Sequence, residues 1–98
     1  MPTAVKQPKK IDLLAKKLQT AGNPSRLKIL CYLFRMNKAC VSDIAGELDM
    51  SVALISHHLQ ELAKEDLLRS VREGKKICYA LSNNRLTADL KRFICKYK

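Results

Sequence analysis

Apolar positions along the first two thirds of this chain recur with the period of helices. From Ile11 to about Ala21, the residues Ile11, Leu14, Ala15, Leu18 and Ala21 fall in steps of three and four, which predicts a helix with one apolar face. Gly22 and Asn23 end it. Asn23 is a suitable cap for the next helix, and Pro24 suits its first position, where a missing N–H loses nothing. Leu27, Leu30, Cys31 and Phe34 form the stripe of that second helix, which runs to about Met36. Asn37 and Lys38 make a turn, Ala39-Cys40-Val41 is a short apolar stretch, and Ser42 caps a short helix ending near Leu48. After the break at Asp49-Met50-Ser51, Ser51 is the N-cap of a helix from about Val52 to Glu65.

The period then shortens to two. Leu67 to Glu73 and Lys76 to Ser82 read as strands joined by Glu73-Gly74-Lys75-Lys76, with glycine where a positive φ is needed. In the second strand Ile77, Tyr79 and Leu81 alternate with Lys76, Cys78 and Ala80. Asn83 or Asn84 caps a last helix whose stripe is Leu86, Leu90, Phe93, Ile94 and Tyr97. Neither a repeat nor a linker interrupts this order of four helices, a hairpin and a helix. Two short helices three or four residues apart, followed at once by a basic hairpin, are the parts of a winged helix-turn-helix, mainly α with a β-hairpin wing.

The second helix of such a pair must bury one face and offer the other to the major groove of DNA. Ile55, Leu59 and Leu62 provide the inward face, with His58 beside them. Val52, Ala53, Ser56, His57, Gln60 and Lys64 provide the outward one, in small or hydrogen-bonding side chains that can reach base edges. The capping residues Ser42 and Ser51 belong to the same candidate surface. The hairpin adds Arg69, Arg72, Lys75 and Lys76 for phosphates or the adjacent minor groove.

Charge agrees with that placement. Nineteen Lys and Arg against nine acidic residues give a net charge of +10 over 98 residues, which points to a polyanionic partner. The first ten residues, with two of the three lysines side by side, read as a flexible basic arm, and residues 11–98 as one domain. A chain this short exposes much of its surface and gains from oligomerising. Two amphipathic terminal helices, each with a stripe to bury, predict a homodimer through Ile11, Leu14, Leu18, Leu86, Leu90, Phe93 and Tyr97. Without a membrane span or a secretory signal, the chain reads as cytoplasmic. The four cysteines, Cys31, Cys40, Cys78 and Cys95, are then expected as free thiols. Gly-rich phosphate loops, paired carboxylates in context and Cys-His pairs at recognisable spacing are all missing from the sequence, which leaves no enzyme reading and no cofactor.

The runs NPSRLKIL, CVSDIAGEL, MSVALISHHLQELAKEDLL and VREGKKICYALS resemble the ArsR/SmtB family of winged-helix repressors over roughly Ile11 to Tyr97. The resemblance implies a homodimer built through the first and last helices, bound to a palindromic operator in double-stranded DNA and released by an inducer. Val52 and Ala53 stand where the family often has polar residues. They can touch thymine methyls but cannot hydrogen-bond bases, so readout would rest on Ser56, His57 and Gln60.

Family metal sites fit poorly. A family CVC motif reads here Cys40-Val41-Ser42, with an oxygen in place of one sulfur, and the last helix offers Asp89 but no histidine. His57 and His58 lack a second ligand at metal spacing in their helix, so His57 reads as a DNA contact and His58 as half-buried and structural. Cys31 and Cys95 resemble the cysteine pair of dithiol members, which respond to reactive sulfur or oxidants. Those two residues are either a sensing pair or packing cysteines, and Cys40 and Cys78 are expected to be structural. A thiophilic metal or metalloid signal, and a winged helix used for protein interaction or unspecific DNA binding, are the alternatives.

Overall fold

The computed structural model describes residues 9–97. Its elements run α1 (Lys9–Ala21), α2 (Pro24–Met36), β1 (Lys38–Cys40), α3 (Val41–Leu48), α4 (Val52–Lys64), β2 (Leu68–Glu73), β3 (Lys76–Leu81) and α5 (Arg85–Lys96). Most of the expected basic arm lies outside the described residues. Lys9 and Lys10, counted in that arm, instead open α1.

The helix starts follow from short polar side chains. Asn23 Oδ1 accepts from the backbone N–H of Ser25 at 2.9 Å and of Arg26 at 3.1 Å, with Pro24 behind it as the first helical residue. Ser51 Oγ accepts from Leu54 N–H at 3.1 Å. Such caps satisfy amide groups that the first turn leaves without partners. Asn84, not Asn83, caps α5: its Oδ1 accepts from Thr87 N–H and Thr87 Oγ1, each at 2.9 Å. Its amide nitrogen also donates to Asp66 O at 2.9 Å, which ties the start of α5 to the end of the α4–β2 connection. Ser42 is not a cap. Helix α3 begins two residues earlier than a Ser42 cap would place it, with Cys40 as N-cap and no side-chain capping bond, so Ser42 sits in its first turn.

The core is assembled where α2, α3 and α4 cross. Ile29, Leu30, Leu33, Ile44, Ile55, Leu59, Leu62, Leu67 and Leu68 are almost fully buried. Helix α2 is buried more widely than its expected stripe. Ile29 and Leu33 are fully enclosed, while Leu27 and Cys31 are only half-buried, because α2 meets α1, α3, α4, α5 and the sheet. Lys17 Nζ donates to Glu65 O at 2.6 Å and fastens α1 to the C-terminal end of α4, where free carbonyls favour a cation.

The hairpin is part of a larger sheet. Three antiparallel strands lie in the order β1-β3-β2, with β1 pairing Lys38, Ala39 and Cys40 to Ala80, Tyr79 and Cys78. The expected turn and short apolar stretch over Asn37–Val41 thus contain a strand. The alternation expected for β3 also changes: Cys78, Tyr79 and Ala80 are all buried and Ile77 is exposed. As the central strand, β3 is covered along its second half, while Ile77 lies near the protruding tip. At that tip Glu73 pairs with Lys76 around Gly74-Lys75, and Gly74 has φ 63°, a conformation that glycine takes without strain.

Candidate nucleic-acid interface

Helix α4 carries two unlike faces. Ile55, Leu59 and Leu62 are fully buried, which fixes the helix axis and leaves Val52, Ala53, His57, Gln60 and Lys64 exposed and Ser56 half-exposed on the other side. The hairpin rises beside its N-terminal end. Between them lies a concavity of about 320 Å³ lined by Cys40, Val41, Ser42, Val52, Ser56, Lys75, Lys76 and Ile77. Five residues named from sequence, Ser42, Val52, Ser56, Lys75 and Lys76, therefore meet around one space. Ala53, His57 and Gln60 continue the exposed face of α4 beyond it, and Gln60 Nε2 donates weakly to Ser56 Oγ at 3.4 Å. Ser51 is exposed at the same helix end, with its oxygen engaged as the cap.

Other candidates stand apart. Lys64 is three turns along α4 and pairs with Glu61 at 3.5 Å. Arg69 lines a different concavity with Asn37, Asn84 and Lys91, near the start of α5. Arg72 is exposed on β2, opposite Ile77 in register. Two apolar side chains join the surface unforeseen, Leu54 on α4 and Ile77 on the wing, both exposed. Leu54 belongs to neither face by its helical spacing, and Ile77 could be found only once β3 was known to run past the end of β1.

His58 is buried behind this surface. Its Nδ1 accepts from Arg26 Nε at 3.2 Å, which requires that nitrogen to be unprotonated. Burial, then the Arg26 guanidinium and His57, push its pKa below the ordinary 6.5. The imidazole is thus a neutral strut between α2 and α4.

The cysteines divide into two sets. Cys40 and Cys78, expected as free thiols, form a disulfide across the β1–β3 pair. The sequence reading missed it because β1 was not recognised, so nothing brought the two residues opposite each other. Glu73 lies beside them, with ligand atoms of all three residues within 4.8 Å of one another, and its carboxylate pairs with Lys38. Bonded to each other, the two sulfurs are not thiolate donors for a metal. Cys31 and Cys95 are free. Cys31 is half-buried and lines a concavity with Leu27, Phe93, Ile94 and Tyr97, whereas exposed Cys95 lines another with Ala88, Lys91 and Arg92.

The expected dimer face splits as well. Leu86, Leu90 and Ile94 are half-buried against this chain's own core. Ile11, Leu14, Leu18, Phe93 and Tyr97 remain exposed, joined by Leu13.

The sequence profile described as "Bacterial regulatory protein, arsR family" matches residues 23–70. The cadmium resistance transcriptional regulatory protein CadC of Listeria innocua is 40% identical over 62 residues, which are 63% of this chain and 52% of that protein. The uncharacterized HTH-type transcriptional regulator MJ1325 of Methanocaldococcus jannaschii is 32% identical over 82 residues, 84% of this chain and 92% of that one. Among solved structures, HlyU from Vibrio cholerae superimposes with a TM-score of 0.82 at 26% identity, covering 93% of this chain and 98% of that one. The chain spans about half the length of CadC, so likeness there concerns the domain. A winged helix matched over nearly its whole length to such regulators, this chain belongs to the arsR family of bacterial regulatory proteins.

Proposed function

We propose that this chain is a transcriptional repressor that binds a palindromic operator in double-stranded DNA as a homodimer. The observation that carries this reading is the concavity in which the N-terminal half of α4 and the lysines of the wing face one space. An α-helix fits the major groove, and residues near its N-terminus reach the bases. Ser56, His57 and Gln60 read base edges, while Val52 and Ala53 meet thymine methyls. Arg72, Lys75 and Lys76 hold phosphates and fix the register without reading sequence.

A palindrome needs two copies. Exposed Ile11, Leu13, Leu14 and Leu18 on α1, Phe93 on α5 and Tyr97 at its C-terminal cap form the apolar area that a second copy covers. Located with the chromosome, the protein would act in the cytoplasm; no helix among its described residues is long and apolar enough to cross a membrane.

The proposed signal is a reactive sulfur species or oxidant acting at the free thiols Cys31 and Cys95. Because they line separate concavities, linking them within one protomer requires the last turn of α5 to rotate. That rotation would carry Phe93 and Tyr97 with it and disturb the dimer face, moving the recognition helices off their half-site spacing of about 34–36 Å. A gel shift with the upstream region of the chain's own gene tests the central reading. Binding should persist in a large excess of random duplex; loss of binding in that excess would leave an unspecific DNA coat or a protein-binding module.

A further inference from the structure

We propose that Cys40 and Cys78 are a reversible oxidation site at the base of the wing, converted by a hydroperoxide from a dithiol to the disulfide that clamps the wing to the helix-turn-helix. The clamp and the expectation that the bond is reversible rest on the DNA-binding reading; the oxidation chemistry is tested apart from it.

Three observations lead to it. The bond joins residues 38 apart in sequence, so it closes a loop containing α3, α4 and β2, the whole recognition unit. Its two ends are mechanically different parts: Cys40 is the N-cap of α3, and Cys78 is in the central strand, between Cys40 on one side and Val71 on the other. A protein working beside the chromosome meets a reducing environment, in which disulfides are characteristically transient and redox-sensing.

The sulfurs also differ in access. Cys40 is half-exposed and lines the concavity shared by α4 and the wing, whereas Cys78 is fully buried. Cys40 is therefore the attacking thiolate. Its sulfur displaces the alcohol from a hydroperoxide, ROOH, and becomes a sulfenic acid as ROH leaves. The Cys78 sulfur then displaces the sulfenic hydroxyl and forms the S–S bond, its proton passing by way of the Glu73 carboxylate 4.0 Å away to the leaving hydroxyl, which departs as water. In sum, two thiols and one hydroperoxide give one disulfide, one alcohol and one water, a two-electron oxidation. A dithiol reductant reverses it through a mixed disulfide at Cys40, the sulfur it can reach.

With the bond closed, the hairpin is held over the concavity before DNA arrives, and the ordering that would otherwise accompany binding is already done. The oxidised form should bind the operator more tightly, by about tenfold, within the usual range of coupling between two sites.

The test uses the reduced full-length chain, treated with one equivalent of cumene hydroperoxide, then alkylated, digested and mapped by mass spectrometry. A Cys40–Cys78 cross-linked peptide is expected, and a dithiol should abolish it. The Cys31→Ser/Cys95→Ser double variant should give the same peptide. Cys78→Ala should trap a Cys40 sulfenic acid that dimedone labels, while Cys40→Ala should leave Cys78 unlabelled; circular dichroism confirms that both variants fold. Alkylatable Cys40 and Cys78 after peroxide, or dimedone on Cys78 in place of Cys40, would overturn the site. Fluorescence anisotropy on operator duplex then compares the reduced and oxidised Cys31→Ser/Cys95→Ser variant, in which only Cys40 and Cys78 can be oxidised, and equal affinities would overturn the clamp. If neither form binds any duplex, the DNA-binding reading and the clamp fall together, while the alkylation map still decides the chemistry.

Discussion

Helices α4 and α5 are nearly the same length, 13 and 12 residues, yet their own chain finishes only one of them. In α4 the apolar row of Ile55, Leu59 and Leu62 is wholly enclosed. In α5 the row of Leu86, Leu90 and Ile94 leans on the core, but the adjoining Phe93 and Tyr97 stay 60% and 77% exposed, their rings 5.2 Å apart and packed on each other. Helix α1 is less finished still, with Ala21 its one buried residue. A large aromatic pair left in water wastes the area that usually dominates interface energetics. The contrast divides the molecule into a unit around α4 that holds itself together and two terminal helices with exposed apolar side chains, which the proposed second copy would cover.

The sharpest way to break that division is to cut both helices back. Leu59→Ala should cost about 2–5 kcal/mol in urea unfolding, since it empties a fully enclosed site. Phe93→Ala should change the unfolding of the isolated protomer by about 0.5 kcal/mol or less, as for other exposed positions. Similar costs for the two would mean that α5 is as finished as α4.

Next in size is the effect on assembly. Phe93→Glu and Leu14→Glu should each weaken the homodimer by about two orders of magnitude, the equivalent of roughly 3 kcal/mol for an unpartnered polar group pressed into an apolar contact. Sedimentation equilibrium measures this directly. Leu90→Glu is less informative, because half-buried Leu90 also supports its own core. A wild-type protein that sediments only as monomer at micromolar concentration would refute the second-copy account.

The sequence made α4 far more legible than the edges of the fold. Asn23 and Ser51 announce their helices because a cap is a local event, decided by one oxygen and the amides two or three residues on. Strand β1 has only three residues and no alternation of its own; it is a strand because β3 lies beside it. The Cys40–Cys78 bond was hidden for the same reason, since it depends on that register. Ile29 and Leu33 escaped the predicted stripe of α2 because a helix touched on several sides needs no single apolar face. Likewise, the spacing of the α5 stripe could not separate Leu90, which leans inward, from Phe93, which does not. At the candidate interface, residue types indicated the helix and wing, but only the third dimension removed Lys64 and Arg69 from the space they enclose.

Smaller effects sharpen the roles within the finished unit. Ser56→Ala and His57→Ala should each lower discrimination between operator and random duplex by about 1–3 kcal/mol, whereas Lys75→Ala should weaken both alike and reduce the salt slope by about one. Identical behaviour of helix and wing variants in salt titrations would erase that distinction. The smallest effect expected is a pH response from His58. Its folded pKa lies below 6.5, so the folded state binds fewer protons than the unfolded one as pH falls. Its contribution to stability is complete above about 6.5. It declines as the pH drops from there through the lowered folded value, where the proton would displace the Arg26 bond. Thermal melts should show a fall between pH 7.5 and 5.5 that His58→Gln reduces; an unchanged fall in the variant would assign it to other groups.

The central claim is that α4 and the wing read one sequence from two copies at once. Affinity selection from a pool of random duplexes, followed by sequencing of the bound fraction, tests it most directly. Specific regulators bind their sites about 10³–10⁷ times more tightly than random DNA, a margin that repeated selection cannot miss. The expected product is a single palindromic motif whose half-sites are centred about 10 base pairs, or a multiple of that, apart. A pool that binds but converges on no motif would contradict the claim.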